Sequence, residues 1–164
     1  MAINDVKIKD SVYENVPTWT WQVDASATLI YPGEPVKLYA AGSPYVVKLA
    51  DAEPVIGTTT QVIGIAKSTS TNTASAAGTV EVYMPLPGIV YSIAAKSAAA
   101  ANTQSEIDAL CGDTLLFDLT STTFTIDTAA GTAVSSGLQV VGGDPTNSNI
   151  YFTIRQSACF GATA

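Results

Sequence analysis

The sequence predicts an all-β fold, a single antiparallel domain built as a barrel or a sandwich, and three observations predict it. Apolar and polar residues alternate through several short runs. Turn-forming residues separate those runs at short intervals, and only one stretch carries helical spacing. A length of 164 residues favours one domain whose core folds without staples.

The first alternating run is TWTWQVD, with Trp19, Trp21 and Val23 on one side and Thr18, Thr20, Gln22 and Asp24 on the other. YPGEPVKLYA then reads as a turn at Pro32-Gly33 followed by a strand from about Val36. AGSP turns the chain into YVVKLAD, its expected hairpin partner. In TTTQVIGIAKS a strand contains Gly64, which signals a bulge or a close backbone approach. STSTNTASAAG, all small and polar, reads as an exposed loop. TVEVYMP sets Val80, Val82 and Met84 against Thr79, Glu81 and Tyr83. Near the end, GLQVV and NIYFTIRQ flank GGDPTNS, a final strand pair in which Ile150, Phe152 and Ile154 share a face. No fixed-period repeat stands out.

The helical exception lies near residues 104–111. Thr103-Gln104-Ser105-Glu106 matches a capping box, Ile107 and Leu110 fall on one face, and Gly112 is placed to end the helix in a left-handed conformation. DTLLFDLTSTTFTID then returns to strand patterning. Cys111 closes the helix among Glu106, Asp108, Asp113 and Asp118. A helix C-terminus and carboxylate neighbours both disfavour a thiolate, so Cys111 is expected to be a small packing residue and not a nucleophile. Cys111 and Cys159 allow one disulfide at most, and their pairing stays open.

Composition narrows the function further. Histidine is absent, which removes the commonest general base and metal ligand. The fourteen acidic residues are spread singly, so no carboxylate pair stands out for hydrolysis. Asp144, Asn147 and Asn149 offer oxygens to calcium but lack the DxDxDG spacing, and a Gly-Asp-Pro turn accounts for them. No GxGxxG or Walker pattern occurs. A net charge of −7 with seven scattered Lys and Arg gives no basic stripe for nucleic acid. SIAAKSAAAANT is too short to span a bilayer, and MAINDVKIKD has no apolar region of a secretory signal behind it. The expectation is a non-enzyme without cofactor or metal, binding neither nucleic acid nor membrane, and made in a reducing cytoplasm. With 47% hydrophobic and only 13% charged residues, its surface must be largely Thr, Ser, Ala, Gly and Asn, as in chains that pack against neighbours.

Aromatic residues gather early: Tyr13, Trp19, Trp21 and Tyr31, with Val12 and Val16 beside them. Residues 1–24 therefore read either as a first strand segment of the core or as an extended N-terminal arm, with residues 25–164 as the β-rich core domain. On the arm reading, Val12, Tyr13, Val16, Trp19 and Trp21 are the candidate partner-binding residues, buried against another chain as interface aromatics often are. A sugar-binding aromatic platform is a third reading, for which the sequence identifies no polar partners.

The order of motifs carries a resemblance. YPGEPVKLYAAG (31–42), VIGIAKS (62–68), AGTVEVYMPLPGIVYSIAAKS (77–97), GDTLLFDLT (112–120) and GLQVVGGD (137–144) resemble, over about residues 28 to 157, the small β-rich decoration or cement proteins of tailed-bacteriophage capsids. The resemblance implies a β-barrel or β-tulip-like core and a non-enzymatic virion subunit. Such a subunit binds the major capsid protein on the outside of an icosahedral shell, as a homotrimer, and stabilises contacts between capsomers. It would be made in the host cytoplasm and end on the capsid exterior. The competing expectation is a carbohydrate-binding fibre or spike module on a virion.

Overall fold

The computed structural model describes residues 6–57, 61–129 and 135–159. In chain order its strands are β1 (Lys7–Ser11), β2 (Thr18–Val23), β3 (Pro35–Leu38), β4 (Val46–Lys48), β5 (Val62–Ala66), β6 (Gly78–Tyr83) and β7 (Ile89–Ala94). A short helix α1 (Gln104–Leu110) follows, then β8 (Thr114–Thr120), β9 (Thr123–Asp127), β10 (Leu138–Asp144) and β11 (Asn149–Ile154). They form two antiparallel sheets, one ordered β1-β7-β11-β10-β8-β9 and the other β2-β6-β5-β3-β4. The architecture is an all-β sandwich, and neither sheet closes into a barrel.

Each strand's alternation fixes which face it buries. Val80 and Val82 of β6 are buried, as are Ile150, Phe152 and Ile154 of β11, while their neighbours in sequence are half-buried or exposed. The larger core is organised around aromatic rings. Tyr91 stacks on Phe152 at 5.7 Å, and Phe117 meets Phe152 edge-on at 5.6 Å and Phe124 at 6.0 Å. These offset and edge-to-face arrangements suit the ring quadrupoles and add to the burial of their area. A smaller core holds Val23, Ile30, Val36, Val46, Ile63, Ala66, Val80 and Val82. β5 lies between the two, giving Val62 and Ile65 to the larger and Ile63 and Ala66 to the smaller. All five of its residues are buried.

Gly64 makes that position possible. Its φ is +155°, and a Cβ there would lie 2.0 Å from the Tyr83 carbonyl oxygen. The β3–β5 register shifts opposite it, between Val36 and Lys37. Both the bulge and the close approach expected of this glycine are present.

The helix is capped as its sequence requires. The Thr103 hydroxyl accepts from the Glu106 N–H, and the Glu106 carboxylate accepts from the Thr103 N–H at 2.9 Å. Gly112 follows at φ +91°. Cys111 departs from expectation: it is exposed, and Ile107 is the buried residue of this helix. The chain leaves α1 in an extended conformation at Cys111 (φ −61°, ψ 125°), which carries its side chain away from the core. Both cysteines are free thiols.

The polar segment 68–78 is mostly exposed, as its composition suggested, but two of its residues turn inward. Ser70 and Asn72 are buried. The Ser70 hydroxyl donates to Asn72 Oδ1 at 2.7 Å and accepts from the Ile30 N–H, while Asn72 Nδ2 donates to the Ala27 carbonyl at 2.7 Å. This small network satisfies groups that would otherwise be costly to bury, and it fixes segment 24–30 over the smaller core.

Candidate interaction surface

The leading residues are strands of the body in the described region. β1 pairs with β7 at one edge of the six-stranded sheet, and β2 pairs with β6 at one edge of the five-stranded sheet. The five candidate contact residues fall in different environments. Tyr13 and Val16 are half-buried against the larger core, and Trp21 packs on the smaller one. Trp19 is 60% exposed and Val12 78% exposed. Val12 is held over Gly88: its N–H donates to the Gly88 carbonyl at 3.1 Å, and a Cβ on Gly88 would lie 2.6 Å from a Val12 methyl.

Trp19 and Trp21 share a face because they are two residues apart on a strand. Their centroids are 6.1 Å apart and their planes are tilted by 34°. The difference in exposure follows the strand: Val23 ends it inside the core, Trp21 sits at the margin, and Trp19 lies beyond it. The side chains registered beside them, Val80 and Val82, carry no polar atom.

Among the described residues four edges bound the two sheets, and each carries some protection against pairing with another chain. β1 has Lys7, Lys9 and a register shift between Ile8 and Asp10. β9 is bridged at Ile126 by Ala95, and Ile126 also accepts from the Lys96 N–H. β4 is three residues long and ends in Lys48. β2 has six residues, no charge, no proline and an unbroken register with β6. Its outer side is bridged at Gln22 by Tyr45, where the edges of the curled sheet meet.

The opposite face of β2 and β6 is polar and carries a small ion-pair network. Thr18 donates to Glu81 at 2.8 Å, and Lys67 pairs with the same carboxylate at 2.9 Å while lying 5.8 Å from the Tyr83 ring centre. Hydrogen bonds from Lys67 and then Thr18 hold the Glu81 carboxyl below its ordinary pKa.

Comparisons of this chain with family models, with characterised proteins and with solved structures give no match. The geometry therefore stands alone.

Several titratable groups of the body make structural contacts. The buried carboxylates of Glu53, Glu34 and Asp118 pair with Lys37, Lys48 and Lys96. Cys159 is buried, and burial pushes its thiol up to about 11. Asp144 closes its own turn, accepting from the Thr146 N–H at 3.0 Å and from the Asn147 side chain. No group of three or more acidic or cysteine side chains suited to a metal occurs among the described residues.

Two concavities lie on the described surface. One, of about 420 Å³, lies between Val6–Ile8, the Pro32-Gly33 turn and Ile65–Lys67 with Tyr83. The other, of about 370 Å³, opens between residues 24–28 and the β3–β4 hairpin, where Tyr39 and Tyr45 face Asp24, Ser26 and Thr28. Sequence reasoning missed the second because its walls are separated in the chain. Its only local signal was a tyrosine at each end of the hairpin tip.

Proposed function

We propose that this chain is a non-enzymatic structural subunit of a virion, a decoration or cement protein that binds the major capsid protein on the outside of an icosahedral phage shell. It acts as a homotrimer and stabilises contacts between capsomers. The observation that carries this reading is the exposed Trp19 on β2, an uncharged edge strand whose outer side is bridged, among the described residues, at Gln22. Such an edge offers main-chain hydrogen bonds to an extended partner, and the indole supplies the buried aromatic anchor of an interface. A trimer on a lattice multiplies modest single contacts, so a small contact patch per copy suffices. The two-sheet body, with its aromatic core, supplies a rigid platform for that patch.

In purified particles the chain should stand in a fixed ratio to the major capsid protein. Its sedimentation mass should be that of a trimer. Shells stripped of it should release DNA at lower temperature, and adding it back should reverse the loss. Intact particles that lack the chain would end the proposal.

A further inference from the structure

We propose that the cavity between residues 24–28 and the β3–β4 hairpin binds a neutral saccharide, with one sugar ring laid on Tyr39. This site is separate from the shell contact and does not depend on it. Its volume of about 370 Å³ falls at the lower end of ligand-binding clefts, roughly 300–1,000 Å³. One wall is aromatic: Tyr39 is 68% exposed, and Tyr45 stands beside it with its carbonyl accepting from the Tyr39 N–H at 3.0 Å. The facing wall is polar. Asp24 Oδ1 accepts from the Ala25 N–H at 2.8 Å, while Oδ2 has no partner among the described residues, nor do the Ser26 and Thr28 hydroxyls. A sugar presents an apolar C–H face and a rim of hydroxyls, which suits a cavity lined by both tyrosines and a carboxylate with hydroxyls.

Charge selects among sugars. Lys48 lines the cavity, but its ammonium pairs with Glu34 at 3.4 Å. Asp24 and a net charge of −7 repel carboxylated and sulfated rings. Beside Trp19 and Trp21 the registered side chains are Val80 and Val82, which are apolar, so Tyr39 is the better-provided aromatic for a sugar ring.

Both walls are preformed. The hairpin side is pinned by the Gln22–Tyr45 bridge and by the Tyr45 N–H donating to the Ser43 hydroxyl. The other side is held by the Ser26 N–H on the Thr73 carbonyl at 2.9 Å and by Asn72 on the Ala27 carbonyl. The buried network in segment 68–78 thus buttresses the site, and little ordering cost falls on binding.

The test uses the intact chain on a printed array of neutral and anionic glycans, followed by calorimetric titration of any glycan retained. Neutral glycans should be retained and anionic ones not. Tyr39→Ala should weaken binding about tenfold, and Tyr39→Phe should stay within about twofold. Thr28→Arg, which fills the cavity from an exposed position, should abolish retention with the melting temperature kept. Trp19→Ala should bind as the parent does. The proposal is overturned by no retention of any glycan, by preference for anionic glycans, by binding that survives Tyr39→Ala or Thr28→Arg, or by loss of binding in Trp19→Ala. Shell attachment is unaffected by any of these outcomes, so the two proposals fail separately.

Discussion

Gly64 lies so close to Tyr83 that any side chain at position 64 would meet the Tyr83 carbonyl oxygen, with a Cβ only 2.0 Å away. The obstacle is backbone in the middle of a sheet, which cannot swing aside as a flexible side chain would. Gly64→Ala should therefore cost about 3 kcal/mol or more, through the displaced strand and the unfavourable φ together. Urea unfolding checks this, and a loss under about 1 kcal/mol would mean that β5 and β6 can separate cheaply.

Trp19 and Trp21 should separate shell binding from folding. Trp21 packs on the smaller core, so Trp21→Ala should lower stability by about 2–3 kcal/mol. Trp19 is 60% exposed, and Trp19→Ala should change stability by about 0.5 kcal/mol. The same Trp19 variant should lose about tenfold in retention on stripped shells. Co-sedimentation and thermal melts measured on both proteins distinguish the roles, and equal retention of the Trp19 variant would remove β2 from the contact.

Asp118 should make the fold sensitive to acid. Its burial raises the carboxyl's pKa, but hydrogen bonds from Lys96, at 2.6 Å, and from Thr120 and Thr125 outweigh that, leaving it below its ordinary value of 3.8. A carboxyl depressed on folding contributes stability above its unfolded pKa, and that contribution fades as pH falls through the folded value. Lys96 shows the opposite sense. Hydrogen bonds to Asp118 and then Asp127 raise its pKa above 10.5, so its contribution persists through neutral pH and fades in strong base. Near neutrality neither member of this pair titrates, so it adds no pH dependence there. In Lys96→Met stability at neutral pH should drop and the acid-side fall should shrink, because the buried carboxyl, without its main partner, is no longer held as far below its unfolded pKa.

The two thiols should react at very different rates. Cys111 is exposed, while Cys159 is buried with its thiol pushed up to about 11. A disulfide reagent at neutral pH should titrate one thiol promptly and the second only when denaturant opens the core. Cys111→Ser should abolish the prompt phase without lowering the melting temperature.

Much of the fold was legible because burial follows alternation wherever a strand has one wet face. Val80, Val82, Ile150, Phe152 and Ile154 are buried as their spacing requires, and Thr103 with Glu106 caps the helix as its motif requires. Strand partnership was not legible. β1 and β2 are neighbours in the chain yet belong to different sheets, and β2 finds its partner about sixty residues away in β6. Nothing local separates Trp19 from Trp21 either, since both obey the same period. Their difference comes from where the core stops. Ser70 and Asn72 looked like any solvated loop, because a residue's polarity cannot report that its partners, Ile30 and Ala27, arrive from forty residues upstream. The tyrosine cavity was hidden for the same reason.

β5 is laced on both sides, to β3 and to β6, and faces a different core on each surface. Five residues thus act as the shared keel of both halves. Neither half can melt or be pulled loose while the other stays dry, so the molecule should resist a tug on either sheet up to one threshold and then yield as a whole. In the shell role proposed above, such a subunit would give way in a single event, without creeping open by degrees.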